Sequence, residues 1–208
     1  MRRFIAPTLF VMFCCGLWPV PLQGADTRAV IVAFGDSLTA GYGLANGESF
    51  PDSLQKLLDQ RSLRYRVVNQ GISGDTTSGG AARVKQGLQL KPAVVILELG
   101  ANDGLRGLPL TATRSNLATI IDQFHKAGAK VLLAGITLPR NYGPDYIRGF
   151  DMIYRDLARE KHVALIPFLL EGVATNLALM QADELHPTAE GARRVAVTVM
   201  RYLQPLLK

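Results

Sequence analysis

Cysteine is nearly absent from this chain of 208 residues: there are two, Cys14 and Cys15, and none follows them. Beyond that point no disulfide and no cysteine ligand is available, so the fold is held by its apolar core. Tryptophan occurs once, as Trp18, and histidine three times, as His125, His162 and His186. Imidazole chemistry, if there is any, has few places to sit. No internal repeat and no low-complexity or linker stretch interrupts the chain after Ala25, which removes solenoid and multidomain readings. Basic residues outnumber acidic ones, 23 to 17. They are scattered rather than clustered, so nucleic-acid binding is not indicated.

The N-terminus reads as a targeting segment. Arg2 and Arg3 precede an uncharged, mostly apolar run at 4–20, and a Pro-bearing stretch ends in Gly24, a small residue suited to signal-peptidase cleavage before Ala25. The competing reading is an uncleaved anchor, because a run of that length lies near the lower limit for a membrane span. A lipoprotein site is disfavoured by Phe13, which stands before Cys14 where a small residue is expected. The expectation is a leader at 1–24, then one domain at 25–208, exported to the periplasm or secreted. Loss of Arg2 and Arg3 lowers the net charge from +6 to +4, which allows a mild attraction to anionic membrane surfaces.

Five apolar runs, at 29–34, 65–69, 93–99, 130–136 and 163–166, read as strands. Helical spacing falls between them: from Phe50 with Ser49 as N-cap and Pro51 in the first turn, then at 77–88, 111–127, 145–161 and 188–206. Strands alternating with helices imply right-handed crossovers and a mostly parallel sheet covered on both faces. In such sheets ligands bind at the carboxyl ends of the strands. Three of those ends are glycine-bearing polar turns, at Gly35-Asp36-Ser37, around Gly74, and at 100–104.

A serine thrown out at the end of a buried strand can act as a nucleophile once a base takes its proton. His125 lies in an amphipathic helix and His162 at a helix end, where surface roles suffice. His186 lies in a polar loop three residues after Asp183. One loop can thus point Asp183 at one imidazole nitrogen while the other faces Ser37; alternatively, Asp183 only caps a turn. The backbone N–H groups of Ser37 and Gly74 and the Asn102 amide are candidate donors to an oxyanion. The alternative is that Gly74 serves only to supply a positive φ, and Asn102 to bond its own backbone.

The segments Phe34-Gly-Asp-Ser-Leu-Thr-Ala-Gly-Tyr42, Gly71-Ile-Ser-Gly-Asp75, Gly100-Ala-Asn-Asp103 and Asp183-Glu-Leu-His-Pro187 resemble, in order, the four sequence blocks of the GDSL-type (SGNH) hydrolases. Glu98-Leu-Gly-Ala-Asn-Asp-Gly-Leu-Arg-Gly107 and Leu138-Pro-Arg-Asn-Tyr-Gly143 are most similar to the small exported bacterial thioesterases, lysophospholipases and arylesterases. The resemblance implies an α/β, three-layer flavodoxin-like fold with Ser37 as nucleophile, His186 as base, Asp183 as its orienter, and Ser37, Gly74 and Asn102 as the oxyanion hole. It implies no metal and no cofactor. Ala101 departs from the pattern, since close relatives often carry a second glycine there, and its methyl group is expected to narrow the backbone's choices beside Asn102.

The expected reaction is hydrolysis of carboxylic esters and thioesters of acyl or aryl groups through an acyl-enzyme. Leu105, Leu108 and Leu138 offer a wall for an acyl chain, or are ordinary core and surface leucines. By resemblance, the loop at 104–109 is a candidate substrate-responsive switch. Arg106 and Arg140 either meet a phosphate or are solvated. Asp36, although next to Ser37, is expected to brace the turn rather than serve His186. The rival activities are a carbohydrate O-deacetylase, disfavoured by the lack of tryptophan after Trp18, and a non-catalytic flavodoxin-like binding module, which gives Asp183 and His186 no reason for their spacing.

Overall fold

The computed structural model describes residues 26–207, so the leader expected at 1–24 lies outside the described residues. Five strands, β1 (Ala29–Gly35), β2 (Tyr65–Gly71), β3 (Val94–Glu98), β4 (Lys130–Ala134) and β5 (Ala164–Ile166), form one sheet in the order β2-β1-β3-β4-β5. Every pairing is parallel. The five residues of β3 are all buried, as expected for the middle of a parallel sheet covered on both faces. One layer is α2 (Phe50–Gln60) packed on α7 (Ala189–Leu203); the other is α3 (Thr77–Gln89), α5 (Leu110–Lys126) and α6 (Pro144–Glu160). Strand order reverses between β1 and β3, the switch point at which open α/β sheets form their crevice.

Local chemistry accounts for the main elements. Ser49 and Asp52 form a reciprocal capping box at the start of α2, with Pro51 in its first turn. In the core, Phe34 of β1 meets Phe124 of α5 edge to face, with ring centroids 5.6 Å apart. Most strand and helix ends move by one or two residues from the sequence expectation, and four differences bear on the site or on the helix ends. The stretch at 100–104 is a strand break followed by the short helix α4 (Ala101–Leu105), and Ser37 opens another, α1 (Ser37–Ala40). Helices this short carry no readable periodicity. β4 ends at Ala134, opposite the last residue of the three-residue β5, so Ile136 leaves the sheet. α7 ends at Leu203, and Gln204–Leu206 is a 3-10 turn, because Pro205 cannot donate to the helical ladder.

Gly35, the last residue of β1, pairs with Gly71 of β2 and Glu98 of β3 in a single row across the sheet. A methyl group on Gly35 would lie 2.5 Å from the Glu98 carbonyl oxygen and 2.5 Å from its Oε2. Gly35→Ala is therefore expected to cost about 1–3 kcal/mol of stability through overpacking, measured by urea denaturation, and to lower activity with it. An unchanged midpoint would show that the row has room to spare.

Candidate active site

Because β1, β2 and β3 give out at one row, the segments that follow them meet. Ser37 is two residues beyond Gly35, Gly74 three beyond Gly71, and Asn102 four beyond Glu98. Ser37 opens α1, whose N-cap Asp36 accepts the Leu38 N–H at 3.1 Å.

His186 reaches this point from the far end of the chain. Its Nε2 lies 2.8 Å from Ser37 Oγ and its Nδ1 2.7 Å from Asp183 Oδ2. Asp183 accepts through either oxygen only, so Nδ1 carries the proton and the Nε2 lone pair faces the serine hydroxyl. The other Asp183 oxygen takes the backbone N–H groups of Leu185 and His186, each at 3.0 Å. Burial pushes the Asp183 carboxyl up, but the His186 ring bond and these two N–H donors outweigh it and hold the group below its usual range. The loop is closed by an antiparallel bridge between Met180 and Pro187 and by the Gln181 N–H bonded to the His186 carbonyl at 2.7 Å. Tyr42 packs its ring 4.7 Å from the imidazole. His125 and His162 are exposed and far from this cluster in the fold, at the ends of α5 and α6.

The three expected oxyanion donors also come together. Neither the Ser37 nor the Gly74 backbone N–H donates a hydrogen bond within the described residues, and Gly74 has φ +80°, so its conformation and its free donor go together. Asn102 Nδ2 donates to Asp36 Oδ2 at 3.1 Å and to the Asp75 carbonyl at 2.9 Å. Both its protons are thus engaged, and the amide must share one to serve an oxyanion. The neighbouring Ala101 is not among the residues of positive φ: it opens α4 in ordinary helical backbone. The position that requires glycine is Gly100, at φ +121°, where a side chain would run into the Tyr154 hydroxyl.

Two supports were not visible in the sequence. Arg83 is buried; it donates to Asp75 Oδ2 at 2.7 Å, to the Gln70 carbonyl at 2.9 Å and to the Gly35 carbonyl at 2.8 Å, with its guanidinium 4.0 Å above the Phe34 ring. Asp103 is buried and accepts from the backbone N–H and hydroxyl of Thr77 and from the Thr113 hydroxyl, which ties α4 to α3 and α5. Neither side chain has a signal in its local sequence that names its partners.

A cavity of about 610 Å³ opens beside Ser37. The candidate donors and triad are in its lining, and Leu105, Ile136, Leu138, Phe168, Leu170 and Met180 are among its apolar walls. Leu108 is half-buried and not among its lining residues, and its carbonyl accepts from the Tyr146 hydroxyl at 3.1 Å. The Tyr142 hydroxyl likewise holds the Leu105 carbonyl at 2.7 Å, so the loop at 104–109 is tied from α6 and the turn before it. Arg106 donates to the Gly74 carbonyl at 3.0 Å. Arg140 is exposed beside the wall residue Pro139. Among the described residues no cluster of side chains suited to a metal ion is present.

The sequence profile of the GDSL-like Lipase/Acylhydrolase family matches residues 33–194. This chain belongs to that family. Over 200 residues it is 43% identical to the esterase TesA of Pseudomonas aeruginosa, covering 96% of this chain and 98% of the relative. It is 40% identical to thioesterase 1/protease 1/lysophospholipase L1 of Escherichia coli over 206 residues, 99% of this chain and 94% of the relative. A crystal structure of TesA superposes with a TM-score of 0.83 at 45% identity, covering 86% of this chain and 99% of that one. The chain is a carboxylic ester hydrolase on the α/β GDSL (SGNH) fold.

Asp183→Asn leaves the loop's shape nearly intact but offers His186 Nδ1 an amide in place of a carboxylate. The expected result is a loss of about a thousandfold or more in kcat with little change in KM, read from steady-state hydrolysis of a chromogenic ester. A loss below about tenfold would remove Asp183 from the orienting role.

Proposed function

We propose that this esterase works through Ser37, with His186 as general base and acid and Asp183 as its orienter. The observation that carries the reading is the unbroken line from Asp183 Oδ2 through the imidazole to Ser37 Oγ, with contacts of 2.7 and 2.8 Å. His186 Nε2 takes the Ser37 proton as Oγ bonds the substrate's carbonyl carbon. The oxyanion is received by the N–H groups of Ser37 and Gly74 and by Asn102 Nδ2, each donor being worth about 3 kcal/mol. The carbonyl's bond to the leaving oxygen or sulfur then breaks, and the alcohol or thiol takes the proton from His186. Water repeats the sequence on the acyl-enzyme and releases the acid.

The apolar cavity supports acyl and aryl esters, thioesters and lysophospholipids as substrates, with Leu105 and Leu138 against the acyl chain and no wall role for Leu108. A polar, aromatic-lined cleft for a carbohydrate acetyl ester does not match these walls. Stoichiometric phosphonylation of Ser37 and loss of at least about a thousandfold in kcat for Ser37→Ala, together with activity rising along a series of longer acyl esters, thioesters and lysophospholipids, are the expected results. Turnover retained by a folded Ser37→Ala enzyme would sink the mechanism, and a flat chain-length series would sink the acyl-wall assignment.

The enzyme is proposed to work outside the inner membrane after removal of residues 1–24. Three exposed apolar side chains, Tyr42, Ile72 and Leu185, line the cavity or adjoin a residue that lines it, and with the net positive charge they support weak contact with an anionic lipid surface. No helix among the described residues is long and apolar enough to cross a membrane. The exported product should begin at Ala25 by N-terminal sequencing and should co-sediment more with anionic than with zwitterionic vesicles. A start at Met1, or equal sedimentation, would overturn the corresponding part.

A further inference from the structure

Under the nucleophile turn lie two carboxyl groups, those of Asp36 and Glu98, both 0% exposed and within hydrogen-bonding reach of each other. Glu98 Oε2 accepts from the Thr39 hydroxyl at 2.7 Å and from the Asp36 backbone N–H at 3.3 Å, while Oε1 is buried with no partner. Asp36 is better supplied: the Leu38 N–H and Asn102 Nδ2–H donate to its two oxygens, and it stands at the N-terminus of α1. Among the described residues no free cation is bonded to the pair. The guanidinium of Arg83 is committed to Asp75 and two carbonyls. The other titratable groups that bear on the pair are Tyr154 of α6 and His186, and of these only His186 can bring a positive charge. Two ionised carboxylates in such a place repel each other without compensation. One proton between them removes the repulsion and gives the orphaned oxygen its bond.

We propose that Glu98 is a positioning residue that keeps its proton at neutral pH and shares it with Asp36, leaving Asp36 alone to carry the charge that holds Asn102 and the first turn of α1. Asn102 then presents its amide between Asp36 and the Asp75 carbonyl, and Ser37 its N–H, from a turn that a second charge would push apart. Burial and then the charge on Asp36 hold the Glu98 carboxyl well above its ordinary range; burial also raises Asp36, to about 6, against the donors that pull it down. A group whose proton is held more tightly in the folded than in the unfolded chain stabilises fully below its unfolded pKa and ceases to do so as pH rises through the folded value. The pair's failure is therefore on the alkaline side.

The inference rests on the proposed roles of Ser37 and Asn102, but its test has a readout independent of activity. Wild type at pH 7 should show the infrared carbonyl band of a buried protonated carboxylic acid, and Glu98→Gln, whose amide can donate where the acid did, should lack it. Glu98→Gln should keep kcat within about threefold at pH 7 and lose the alkaline fall in kcat and stability. Glu98→Leu should lose at least about tenfold in kcat with KM within about twofold; should it fail to fold, the band and the Glu98→Gln pH profile decide the matter without it. Absence of the band in wild type, or a Glu98→Gln enzyme with an unchanged alkaline limb or a large loss of kcat, overturns the proposal. Failure of the Ser37 mechanism would appear instead as turnover by Ser37→Ala, with the band unaffected.

Discussion

Gly35, Gly71 and Glu98 stand side by side on one row of a parallel sheet, and the site exists because three strands give out at that row. Parallel register sends the chain out of β1, β2 and β3 on the same side, so segments far apart in sequence meet within one turn of Ser37. The price of this crowding is steric. Gly35 has no room for a methyl group beside Glu98, and Gly71 none beside the backbone of Ala40. Glycine here is required by the close approach of neighbouring backbone rather than by an unusual dihedral angle.

Converging loops still need to be held at fixed separations, and buried charge does this. Arg83 joins the end of β1, the end of β2 and the Asp75 turn with a single planar side chain, whose several donors in fixed geometry suit it to three partners at once. Removing one partner of so buried an ion pair typically costs about 3–5 kcal/mol, since the other charge is left without compensation. Asp103 makes the matching connection between α4 and α3. Together they set the distance from Gly74 to Asn102, while Asp36, between Asn102 and the α1 N-terminus, sets the distance from Asn102 to Ser37. Donors fixed in advance of substrate do not have to be reoriented as charge develops.

Much of the fold was legible because its signals are local. Strands buried on both faces read as continuous apolar runs, Ser49 and Pro51 mark a helix start by their own chemistry, and the three-residue spacing of Asp183 and His186 is a property of one loop. What escaped were features without a local signal. α1 and α4 are too short to show a period, and β4 ends where its partner does. Ile136, Phe168, Leu170 and Met180 come to one cavity from three segments, while Leu108, three residues from a wall residue, is not in its lining.

The sequence by itself determined the alternation of strand and helix, the family and the identity of the candidate groups, since each depends on residue type and near neighbours. Only the tertiary structure decided that Ser37 Oγ lies 2.8 Å from His186 Nε2 across 149 positions of chain, that Arg83 is bonded to Asp75 and Glu98 to the Asp36 N–H, and which apolar side chains face the cavity. Those facts depend on the register of parallel strands and on which face of each helix meets the sheet. Such long-range relations are set by the packing of the whole core, and no short stretch of sequence carries them.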